Sequence, residues 1–103
     1  MICRIYDVPG ATLEQYDQVS EHMGDERPDG AHAHIAGKTD QGIRVIEAWD
    51  SAEHDEQYTA AGLGAAMQAA GIPEPTSTDF EIHNRLARLT DTGGPMAFTG
   101  RAE

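Results

Sequence analysis

The stretch Ile43-Arg44-Val45-Ile46-Glu47-Ala48-Trp49 decides the fold. It is dense in β-branched and aromatic residues and lacks both Pro and Gly, so it reads as a strand. Just upstream, Lys38-Thr39-Asp40-Gln41-Gly42 has turn chemistry, and residues 31–37 before it form another extended segment. Two strands joined by a short Gly-containing loop make a hairpin. Just downstream, Ser51 can cap a helix with Glu53 in its first turn. That helix is interrupted near Gly62-Leu63-Gly64, resumes through Ala65-Ala66-Met67-Gln68-Ala69-Ala70, and stops at Gly71 with Pro73 beyond.

Further out, residues 2–8 read as an opening strand closed by Pro9-Gly10. Thr12 and Gln15 have capping-box spacing, with Glu14 in the first turn. Leu13, Tyr16, Val19 or Ser20, and Met23 then recur along one helical stripe up to Gly24. A fourth strand is expected from about Thr78 to Leu86. The order β-α-β-β-α-β predicts an α+β, ferredoxin-like domain over residues 1–86, with a four-stranded antiparallel sheet and both helices on one face. Residues 87–103, with Gly93-Gly94-Pro95, read as a C-terminal tail or arm.

Composition narrows the function. The 103 residues fit one domain, and 39% hydrophobic with 24% charged residues is a globular balance. Net charge is −11. A chain this acidic has no basic footprint for nucleic acid and no Lys/Arg run for anionic lipid. Cys3 is the lone cysteine, which excludes an intrachain disulfide and a CxxC site. No apolar run has signal-peptide or membrane-span character, so a cytoplasmic location is expected.

Alternation along each strand sorts side chains onto two faces. Cys3, Ile5, Ala33, Ile35, Ile46, Ala48, Phe80 and Ile82 make one face, apolar and suited to the helices. The other collects Arg4, Tyr6, His32, His34, Glu47, Trp49 and His83, together with Val45 and Ile43. Large aromatics mixed with ionisable groups suit neither a plain core nor a plain solvated surface, and predict a shielded polar pocket.

Val45-Ile46-Glu47-Ala48-Trp49-Asp50-Ser51-Ala52-Glu53 resembles the strand-to-helix signature of the antibiotic-biosynthesis-monooxygenase-like dimeric α+β barrel families. In these families an acidic or amide residue and an aromatic, two apart, precede a Ser-capped helix. The resemblance spans residues 1–86. It implies a homodimer whose two sheets pack face to face, with the ligand in the lumen and Glu47 and Trp49 facing it. The superfamily includes cofactor-free monooxygenases, cyclases, haem-degrading enzymes and dehydratases, so the fold leaves the reaction open.

His34 and Glu47, on adjacent strands of the hairpin, are the expected acid–base pair, the carboxylate fixing the imidazole tautomer. Such a pair removes a proton from a phenol or from carbon beside a carbonyl. His83 joins them as a candidate catalytic residue, stabilising negative charge. Arg4, Tyr6, His32 and Trp49 are candidate substrate contacts, with Arg4 suited to a carboxylate or enolate and the aromatics to stacking. No cofactor is required by this chemistry. An alternative is a non-catalytic dimer that binds a small molecule, or a metal through His32, His34, His83 and Glu47.

Overall fold

The computed structural model describes residues 1–86; the predicted tail over 87–103 lies outside the described residues. The elements are β1 (Ile2–Pro9), α1 (Leu13–Met23), β2 (Ala31–Lys38), β3 (Gly42–Trp49), α2 (Ala52–Tyr58), a π-helical turn (Thr59–Leu63), α3 (Gly64–Ala69) and β4 (Thr76–Glu81). The four strands form one antiparallel sheet in the order β2-β3-β1-β4. This is the expected ferredoxin-like α+β arrangement.

Local chemistry sets the element ends. Thr12 Oγ1 accepts from the Gln15 amide (3.1 Å), and Gln15 Oε1 accepts from the Thr12 amide (3.0 Å), completing the capping box of α1. Gln15 also donates through Nε2 to the carbonyls of Ala70 and Gly71, tying the start of α1 to the end of α3. Ser51 caps α2. Gly10 turns the chain after β1 at φ +83°, a conformation that favours glycine. Gly42 packs so closely on β1 that a Cβ would stand 2.2 Å from the Val8 carbonyl oxygen.

β4 begins earlier and ends earlier than the sequence suggests. Its partner β1 starts at Ile2, paired with Glu81, and the Ile82 amide donates to the Met1 carbonyl (3.0 Å). Beyond that point no strand remains to pair with, so His83 falls past the sheet.

The expected assignment of faces is reversed. Except at His32 and beyond the end of β4, alternation groups the residues correctly, yet α1, α2 and α3 cover the polar set, and the apolar set faces away from them. Ile35 is 65% and Phe80 53% exposed, whereas Trp49 on the opposite face is completely buried. The helix-covered face carries apolar clusters at both ends: Val8, Ala11 and Ile43 with Val45 and Ile72, and Ala31 and Trp49 with Ile2 and Tyr58. Between them lies the polar row. The predicted pocket therefore forms within one chain, between its sheet and its own helices. Among the described residues, no helix is long and apolar enough to cross a membrane.

Candidate active site

The register places His34, Glu47, Arg4 and Asp79 opposite one another across β2, β3, β1 and β4, one row over the width of the sheet. At its left end, His34 Nδ1 lies 2.9 Å from Glu47 Oε2, and His34 Nε2 lies 2.6 Å from the Tyr16 hydroxyl of α1. Trp49 Nε1 donates to the other Glu47 oxygen at 3.0 Å. Glu47 is only 5% exposed, so its charge needs donors, and Trp49 and His34 supply them. A carboxylate accepts from Nδ1–H. That tautomer leaves a lone pair on Nε2, which receives the Tyr16 proton. The rings of Tyr16 and His34 also stack, their centroids 6.0 Å apart.

The right end of the row is a charge cluster. Arg4 donates to Asp79 through Nε and Nη2, each at 2.7 Å, and to Asp55 through Nη1 at 2.8 Å. The Tyr6 hydroxyl also bonds to Asp55. Asp79 holds the guanidinium firmly protonated, and Arg4 in turn draws the Asp79 carboxyl below its ordinary value. Asp55, 1% exposed, is pushed upward by burial; its bonds to Tyr6 and Arg4 oppose that shift without cancelling it. Burial, and then Asp55, raises the Tyr6 phenol, so Tyr6 stays a neutral donor at physiological pH.

Beside this row lies a cavity of about 580 Å³, a size that suits a small-molecule ligand. Tyr6, His34 and Glu47 form its polar floor, Tyr16 its α1 side, and Leu63 and Met67 part of its roof. The π-helical turn supplies Thr59 and Leu63 to the wall; such widened turns often accompany functional sites. A smaller hollow of about 60 Å³ also borders Tyr16, His34 and Glu47.

The predicted site residues divide sharply. His34, Glu47 and Tyr6 meet at the cavity. Trp49 is buried behind it, anchoring Glu47 and packing on Tyr58, and does not line the space. Arg4 is turned onto Asp55 and Asp79 and away from the cavity lining. His32 sits at an irregularity between Ala31 and Ala33 and bonds to Asp50 (2.6 Å) near the surface. His83 is exposed beyond β4. The imidazoles proposed as metal ligands thus do not converge. Among the described residues, no group of three or more His, Cys, Asp or Glu side chains is arranged to hold a metal ion.

Three participants were not anticipated in these roles. Tyr16 stands in the apolar stripe of α1, where its hydroxyl draws no notice. Asp55 occupies an inward position one turn after Ala52 and one before Tyr58, and a carboxylate there was the available signal. Asp79 faces Arg4 only in the actual β1–β4 register.

No family model matches the chain, and no curated protein does. The fold does have a counterpart among solved structures. A crystal structure from Deinococcus radiodurans, of a protein assigned to the antibiotic biosynthesis monooxygenases, superposes with a TM-score of 0.61. The match covers 86% of this chain and 99% of that one, at 17% sequence identity. This chain has the antibiotic-biosynthesis-monooxygenase-like fold. At that identity the likeness extends to the fold alone, and the chemistry must be argued from the site. Within this fold, the Tyr16–His34–Glu47–Trp49 chain occupies the space between sheet and helices.

Proposed function

We propose that this protein is a small-molecule enzyme in which His34, oriented by Glu47, performs general acid–base chemistry on an aromatic or polyketide-like substrate. The observation that carries this reading is the continuous hydrogen-bonded chain from Trp49 through Glu47 and His34 to Tyr16, ending at a 580 Å³ cavity. Trp49 fixes one oxygen of Glu47, the other holds His34 Nδ1–H, and Nε2 is presented as the base. A substrate hydroxyl or an acidic C–H reaching Tyr16 loses its proton to the phenol oxygen as the Tyr16 proton passes to Nε2. The reverse transfer returns it. The Tyr16 O–H that the forward transfer leaves then hydrogen-bonds the anion that forms. Cofactor-free oxygenation, cyclisation and isomerisation all begin with this proton removal.

The reading includes a homodimer, in a cytoplasmic setting where the lone Cys3 needs no disulfide partner. The bare sheet face has an apolar centre of Ile5, Ile35, Ile46 and Phe80, and the exposed Asp7–Arg44 ion pair (2.7 Å) lies at its margin. An apolar centre with a charged rim is the usual composition of a protein interface. A second copy packing there closes the barrel, leaving one pocket in each subunit.

The deciding experiment is turnover of phenolic and 1,3-dicarbonyl candidates by wild type, His34→Ala and Glu47→Gln. Loss of turnover in both variants, with the fold retained, supports the reading. Unchanged turnover in both removes it.

A further inference from the structure

Charge around the cavity restricts what can enter it, if this cavity is the substrate site as proposed above. Among the described residues that line it there is no Lys or Arg. The charged lining groups are acidic: Glu47 in the floor and Glu74 at the rim. Arg4, the buried guanidinium beside the site, faces Asp79 with two nitrogens and Asp55 with a third, so no positive charge is left over for a ligand. The walls are Val8, Ile43, Val45, Leu63, Met67 and Ile72. The whole chain adds a net charge of −11.

We infer that the site selects an uncharged, largely apolar molecule carrying a hydroxyl or enolisable carbonyl, and discriminates against its carboxylated or phosphorylated counterparts. An anion entering the cavity exchanges water for hydrocarbon walls with no counter-charge among the described lining residues, and it approaches Glu47 at low dielectric. A neutral hydroxyl, or the acidic C–H beside a carbonyl, meets the oxygens of Tyr6 and Tyr16, whose own protons go to Asp55 and His34, and neither contact demands charge. The negative charge generated by proton removal therefore appears only after binding, beside Tyr6 and Tyr16. An Arg-lined pocket reverses this preference, because it captures the anion first.

The test is calorimetric binding of matched pairs to the full chain: 2-naphthol against 6-hydroxy-2-naphthoate, and 2-hydroxyfluorene against a carboxylated 2-hydroxyfluorene. Each uncharged member is expected to bind about tenfold or more tighter than its carboxylate. In Glu74→Lys, a rim substitution outside the acid–base chain, carboxylate affinity should rise and the ratio shrink. Equal or tighter binding of the carboxylates overturns the inference, and so does failure of both uncharged compounds to bind. Since the readout is binding, it separates from the catalytic proposal: a preserved charge preference with turnover unaffected by His34→Ala keeps the selectivity and removes the base.

Discussion

His34 stands directly across the β2–β3 ladder from Glu47, with Nδ1 2.9 Å from Oε2, both side chains under the helices. The pairing is set by backbone register, so the imidazole is aimed by the sheet itself and not by a mobile loop. Glu47 is also the acceptor for Trp49. Glu47→Gln puts an amide where two donors need an acceptor. It should cost about 1–3 kcal/mol in urea unfolding and reduce kcat by about 10²- to 10⁴-fold. A kcat loss without change in KM distinguishes misorientation of His34 from loss of substrate binding.

Tyr16→Phe removes one hydroxyl and leaves the ring that stacks on His34. Stability should change by about 1 kcal/mol or less. If the phenol passes the proton, kcat should still fall by about 10²-fold. Full activity in Tyr16→Phe would show that substrate reaches Nε2 directly.

Arg4→Met leaves Asp55 buried without its cation. Breaking a buried ion pair from one side typically costs about 3–5 kcal/mol, and the variant should unfold at markedly lower urea. The double variant Arg4→Met/Asp55→Leu should recover much of the loss, because the uncompensated carboxylate is gone.

The Arg4–Asp79 bond predicts an acid-labile contribution. Arg4 lowers the Asp79 carboxyl below its ordinary 3.8 in the folded chain. Between the folded and unfolded values the unfolded chain binds more protons, so stability rises with pH across that window. The contribution is complete above about pH 5 and disappears as pH falls through the folded value. Thermal midpoints of wild type and Asp79→Asn, measured from pH 7 down to pH 2, should converge at the acid end. A constant gap across the range contradicts the ion-pair origin.

Ile35 and Phe80 are the most exposed apolar residues of the bare sheet face. Sedimentation should give a dimer for wild type and a monomer for Ile35→Glu/Phe80→Glu. A wild-type monomer at micromolar concentration removes the proposed closure of the barrel.

Much of this arrangement was legible from residue order alone. The helix caps at Thr12 and Ser51, the hairpin around Gly42 and the interruption before Gly64 are local chemistry, written within a few neighbouring residues. Period-two sorting likewise put His34, Glu47, Arg4 and Tyr6 on one face, because strand geometry leaves side chains no other choice. The failure at His32 has a physical cause: a one-residue irregularity at Ala31/Ala33 breaks the alternation, and no local signal marks it.

Tertiary structure alone decided which face the helices cover. Alternation separates two faces without labelling them, and both carry apolar residues: Val8, Ile43 and Val45 on one, Ile5, Ile35 and Ile46 on the other. The side taken by the helices follows from how each strand enters its crossover, a long-range property. That choice moved the pocket from a space between subunits into a single chain. It also brought Tyr16 of α1 and Asp55 of α2, residues 18 and 51 positions away from their partners His34 and Arg4, into the site.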